Sequence, residues 1–161
     1  MQELITSIYA SGGSALVIDD GYSFKHTCEI LEGRHIAFDG SREIRLNPFS
    51  ALDPDEMVKE EYRSEAIELV TRVIASMAAL GDGQSGRVRE VEEDYISEAV
   101  SAIWVEKGPK GEVSDVRDLL ALQAETEERL EDVVRKLDKF SRGGIYGRYF
   151  EGEANIRLDS P

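Results

Sequence analysis

The chain has one cysteine, two histidines and one tryptophan among 161 residues, and each scarcity excludes something. The lone Cys28 cannot form an internal disulfide, which suits a reducing cytoplasm. His26, Cys28 and His35 match no zinc spacing and would need an acid as fourth ligand, so no metal site is predicted. No apolar run approaches the roughly 20 residues that cross a bilayer. The first ten residues lack a basic flank followed by an apolar core, so no secretory leader is expected. Gly-x-x-x-x-Gly-Lys-Ser/Thr does not occur, and no apolar strand downstream of the helical middle ends in Asp-Glu. Phosphoryl transfer on a P-loop needs both, so the chain as it stands is expected not to hydrolyse ATP. Basic residues are also short, 19 Lys and Arg against 33 Asp and Glu, for a net charge of −14. Residues 51–100 hold thirteen acids against five bases, which argues against direct grip on a nucleic-acid backbone.

What is present begins with Gly12-Gly13-Ser14-Ala15-Leu16-Val17-Ile18-Asp19-Asp20-Gly21. A short apolar run ending in two carboxylates and a glycine predicts a strand buried on both faces, as in a parallel α/β sheet. Ligands of such sheets gather at the carboxyl ends of strands, where Asp19 and Asp20 fall. Gln2–Ala10 places Leu4, Ile5, Ile8 and Tyr9 on one helical stripe, stopped by Ser11-Gly12-Gly13. Residues 22–31 read as a helix with Phe24, Thr27, Cys28 and Leu31 on one face and Gly33 as terminator. Residues 35–38 and 43–46 are short strand candidates, the second ended by Pro48.

From Asp53 the pattern becomes helical. Asp53-Pro54-Asp55-Glu56 is a start signal, and apolar residues from Ala66 to Leu80 recur at three and four. Gly81-Asp82-Gly83-Gln84-Ser85-Gly86 reads as a turn. A second helix carries Val88 to Trp104 and is closed by the interhelical turn Lys107-Gly108-Pro109-Lys110-Gly111. Ser114 or Asp115 is expected to cap a third helix, and Thr126 to open a fourth that ends near Phe140. These stripes suit a bundle. The expected division is a partial α/β frame at 1–53, a helical insertion at 54–140 and a return segment at 141–161, with Asn155–Asp159 a last extended piece.

Two readings stand for the acid pair. Asp19 and Asp20 either hold a magnesium-bound water or orient a nucleotide, or they form a turn in which Asp20 caps the next helix. Two also stand for the glycine- and aromatic-rich stretch Gly143–Gly152: a ligand or subunit contact in which Arg148 meets phosphate charge, or an aromatic connector packed on the sheet.

Four segments in order carry a resemblance: residues 12–28 with Val17-Ile18-Asp19-Asp20-Gly21-Tyr22-Ser23-Phe24, then Leu31-Glu32-Gly33-Arg34-His35-Ile36, Leu46-Asn47-Pro48-Phe49, and Gly144-Ile145-Tyr146-Gly147-Arg148-Tyr149-Phe150-Glu151-Gly152. They resemble the TraC-type conjugation ATPases of type IV secretion systems. Asp19, Gly21, Ser23 and Phe24 match the family's Ile-Asp-x-Gly-x-Ser-Tyr-like motif, with Phe24 in place of its tyrosine. The resemblance implies a partial RecA-like P-loop frame, α/β in class, carrying a large all-helical insertion. It implies that Met1 lies just beyond a phosphate-binding loop and Pro161 just before a catalytic strand. It further implies a parent that uses ATP and magnesium, works as a hexamer with other secretion subunits at the cytoplasmic face of the inner membrane, and drives pilus assembly and transfer. Asp19, Gly21 and Arg148 are the residues expected near nucleotide in that parent, while the fragment itself is expected to be inactive and cofactor-free. No catalytic residue carries over. The competing expectation is a self-contained, non-enzymatic acidic helical module that binds a partner.

Overall fold

The structure is a computed structural model and describes residues 2–40, 43–80 and 88–156. They divide into two units, one within Met1–Glu43 and one within Ile44–Arg157.

In the first unit α1 (Gln2–Ala10) and α2 (Lys25–Ile30) are joined by an irregular segment. The predicted stop of α1 is realised as a paired-bond cap. Gly13 N–H donates to the Ile8 carbonyl and Gly12 N–H to that of Tyr9, each at 2.9 Å, with Gly12 at φ +82°. The end of α2 repeats this arrangement: Gly33 N–H donates to the Cys28 carbonyl at 2.8 Å and Glu32 N–H to that of Glu29 at 3.2 Å. Here the left-handed position is held by Glu32, at φ +54°. The helix is shorter than residues 22–31, because Gly21 and Tyr22 both take positive φ and keep the chain out of helix until Lys25. Its expected face holds, since Phe24, Thr27, Cys28 and Leu31 are the half-buried residues of this stretch.

The strands expected here do not form. No strand occurs among the described residues, and residues 13–19 and 33–38 are irregular. Leu16 is 73% and Ile18 95% exposed, the reverse of a strand buried on both faces. A strand exists only in a ladder, and the described residues offer residues 15–18 none. The described part of the last extended piece, Asn155 and Ile156, is likewise irregular, and Arg157–Asp159 lie outside the described residues.

The second unit is built on α3 (Glu60–Ala79), α4 (Glu90–Lys107), α5 (Val113–Ala124) and α6 (Leu130–Leu137). Each helix packs on the next and α6 returns to α3, closing a four-helix ring. Val70, Ile74, Ile96, Val100, Val116, Leu120, Leu130 and Leu137 are all essentially inaccessible in its core. Each such side chain stabilises the fold by about 1.5–3 kcal/mol relative to exposure. The start signal at Asp53 makes a separate turn and does not open α3. Asp53 Oδ1 accepts Asp55 N–H at 2.9 Å, a 3-10 turn covers Glu56–Val58 and buries Met57, and Lys59 is extended before α3 begins. Such an Asx turn competes with helix for the same N–H. The Gly81–Gly86 turn lies outside the described residues. The turn Gly108–Lys110 joins α4 to α5 as expected. The cap of α5 is Glu112, ahead of the expected Ser114 or Asp115, and Asp115 is its partner in a reciprocal box. Helix α6 opens at Leu130, because residues 125–129 form turns closed by bonds to the Gln123 and Glu127 carbonyls.

Candidate functional site

Asp19 and Gly21 lie in the first unit and Arg148 in the second. The Asp19 carboxylate closes its loop: Oδ2 accepts Phe24 N–H at 2.9 Å across the positive-φ pair Gly21 and Tyr22. The bond belongs to Asp19, whereas the turn reading gave the capping role to Asp20. The His35 and Tyr22 rings are tilted at 47° with centroids 6.2 Å apart, and His26 faces Glu29 at 3.9 Å. Among the described residues no group of three or more His, Cys, Asp or Glu is placed to hold a metal ion.

The densest polar construction lies in the second unit, where the chain enters and leaves the helical ring. Asn47 is buried, and its amide donates to the carbonyls of Gly111 at 2.8 Å and Gly152 at 2.9 Å. Its own Oδ1 accepts Phe49 N–H at 3.1 Å, which turns the backbone so that Phe49 enters the core. Leu46 N–H donates to the Tyr149 carbonyl at 2.5 Å, and Ala154 N–H to Ser50 Oγ at 2.8 Å. Glu112 joins these segments to the head of α5. One of its oxygens accepts Gly152 N–H at 2.8 Å and the other the Arg142 guanidinium at 2.7 Å. That hydrogen bond, then the Glu112 charge, raises the Arg142 pKa above its ordinary value. Arg142 N–H in turn donates to Ser114 Oγ at 2.8 Å.

This clasp joins Leu46-Asn47-Pro48-Phe49 to the Gly144–Gly152 stretch, two of the four segments that carry the family resemblance. The glycines of the second segment serve close backbone approach. A Cβ on Gly144 would strike the Asp138 carbonyl and lie 2.6 Å from that of Lys139, and one on Gly147 would strike the Ser141 carbonyl. The aromatics pack on the end of the helical ring, with no sheet involved: Phe140 stacks on Tyr146 at 5.3 Å and meets Phe150 edge-on at 5.9 Å. Arg148, exposed, donates to the Tyr149 hydroxyl at 2.8 Å and lies 4.8 Å from its ring centroid. Glu112 and Arg142 escaped the sequence reading. Their only local signal is the acid spacing of Glu112 and Asp115 directly after a Gly-Pro turn.

The clasp is a fixing device. The side chains of Asn47 and Glu112 are committed to backbone groups and to Arg142, so their chemistry is that of holding two distant segments in register.

The sequence matches the family model described as TraG P-loop domain over residues 1–117. Protein TraC of Escherichia coli (strain K12) is 30% identical over 170 aligned residues, covering 99% of this chain and 18% of that protein. The chain therefore spans less than a fifth of the curated relative it matches. No solved structure matches it. Among the described residues, no helix is long and apolar enough to cross a membrane.

Proposed function

The chain belongs to the TraG P-loop domain family, and from that premise we propose that it is a section of a conjugation ATPase in which residues 54–140 are a helical insertion. The observation that carries this is the clasp. Segments that flank the helices, about a hundred residues apart, are bonded to each other where the chain enters and leaves the ring. That is the connectivity of a domain inserted into a frame.

In this reading residues 1–53 and 141–161 belong to a RecA-like frame whose remaining strands come from elsewhere in the longer protein. The exposed run Leu16-Val17-Ile18 is then a strand awaiting its ladder. The residues of this chain do not themselves fit a nucleotide. There is no phosphate-cradling Gly-Lys-Ser/Thr, and among the described residues the one bond made by the Asp19 carboxylate is a turn bond from Phe24 N–H to Oδ2. No catalytic step is assigned to them. ATP and magnesium would bind the complete protein, with Asp19 and Gly21 beside the site. The complete protein would act as a hexamer with other secretion subunits at the inner membrane, energising pilus assembly and DNA transfer.

The experiment is ATP turnover by the 161-residue chain beside a version extended on both sides with its native flanking sequence. The reading expects turnover from the extended protein alone. Turnover by the short chain, or an extended protein that does not bind nucleotide, overturns it.

A further inference from the structure

An open groove of about 520 Å³ runs along the outer side of α3 and α4. The core-facing stripes of these helices contain Val70, Ile74, Ile96 and Val100. The groove is formed by the neighbouring stripes. Ser97 and Ser101 leave a shallow floor, Ile67 and Trp104 supply apolar wall, and Arg63 joins the rim. Along α4 it extends from Glu90 to Val105, about four helical turns or roughly 22 Å at 1.5 Å per residue. On α3 the lining runs only from Arg63 to Thr71, roughly 12 Å, so a docked helix would be flanked on both sides over about two turns and continue along α4.

Two further observations bear on an occupant. Thr71 lines the groove, is only 4% exposed, and its hydroxyl has no hydrogen-bond partner among the described residues. A buried hydroxyl left unpaired costs roughly 1–3 kcal/mol. The rim is also one-sided in charge: Glu68, Glu90, Glu93 and Asp94 stand against Arg63. Glu68 is paired with Arg72, whereas Glu90, Glu93 and Asp94 form no ion pair among the described residues.

We propose that this groove docks a basic amphipathic helix of a partner protein. Its apolar stripe would lie on Ile67 and Trp104, and its Lys and Arg side chains would reach the rim acids. A second copy of this chain suits the groove poorly, because each copy carries a net charge of −14. The inference does not rest on the ATPase reading.

Trp104 is the chain's only tryptophan, so its emission reports the groove directly. The probe is a tryptophan-free Leu/Lys amphipathic peptide of about 18 residues, with a Leu/Glu peptide of the same pattern as control. The Lys peptide should shift Trp104 emission saturably at one peptide per chain, and the Glu peptide should not. Reversal of rim charge in Glu93→Lys/Asp94→Lys should weaken binding about tenfold or more at low salt. The control pair Glu125→Lys/Glu128→Lys, between α5 and α6, should change it by less than about threefold. Ser101→Phe, which fills the floor without altering charge, should abolish the shift. An absent shift, equal losses from both reversal pairs, binding that survives Ser101→Phe, or a shift traced by sedimentation to self-association would each overturn the proposal.

Discussion

Arg45 and Asn155, 110 residues apart, are bonded twice: Arg45 N–H donates to Asn155 Oδ1 at 2.9 Å, and Asn155 N–H donates to the Arg45 carbonyl at 3.2 Å. Closing so long a loop costs entropy that local contacts must offset. The ring of helices between them, whose core closes on itself, contributes to that offset. The bonds at the neck then set where the two ends leave. Asn47 and Glu112 extend the same neck inward to Gly111, Gly152 and Arg142.

Asn47 should be the most sensitive polar residue of the neck. Asn47→Leu keeps the branching at Cγ but is larger, and it leaves two carbonyls and the Phe49 N–H without their partner in a buried setting. A loss of about 2–4 kcal/mol is expected in urea unfolding. Asn155→Ala, at an exposed position, should cost about 1 kcal/mol or less. Equal and small effects from both would show that the neck does not stabilise the fold.

Gly144→Ala and Gly147→Ala should each release the return segment from the helical ring. The added methyl meets rigid backbone carbonyls in both cases, so no side-chain rotation relieves it. Trypsin cleavage after Arg142 or Arg148 should accelerate in both variants. Cleavage at the parent rate, with unchanged stability, would show that the close approach is not required.

The four helices of the ring were legible because spacing at three and four writes them directly, and Val70, Ile74, Ile96, Val100, Leu130 and Leu137 all face the core. Their starts were less so. Asp53 looks like a helix cap, but its carboxylate turns on Asp55 N–H and the chain needs six more residues to enter α3. The run at residues 15–18 has strand composition, yet composition carries no information about whether a ladder partner is at hand. At the neck, Asn47 was visible within a motif. Glu112 was not, since its role depends on Gly152 and Arg142, which are remote in sequence.

The two helix ends of the first unit predict opposite responses to glycine exchange. Glu32 holds a left-handed conformation that costs a side-chain-bearing residue roughly 1–2 kcal/mol. Glu32→Gly should therefore slow hydrogen exchange of the α2 amides. Gly12→Ala imposes the same penalty on α1 and should speed exchange there, about tenfold for 1.4 kcal/mol. Unchanged exchange in both variants would show that these caps do not limit local opening.

Asp132 gives the second unit an acid-sensitive contribution. Lys136 and Arg135, one turn along α6, hold its carboxyl below the ordinary value, the hydrogen bond from Lys136 being the larger cause. Lys136 Nζ lies 2.6 Å from Asp132 Oδ2. A carboxylate whose folded pKa is depressed stabilises the fold above its unfolded pKa, and that contribution disappears as pH falls through the folded value. The side chain is 51% exposed, so solvent screening holds the contribution to about 0.5 kcal/mol or less. Asp132→Asn should therefore be slightly less stable than the parent near neutrality. The gap should narrow through the acid range, close once the parent carboxyl is protonated, and shrink in about 1 M salt at neutral pH. Urea unfolding of both proteins across pH measures it. A gap that persists unchanged into strong acid would assign the effect to packing or to the helix dipole, and not to the ion pairs with Lys136 and Arg135.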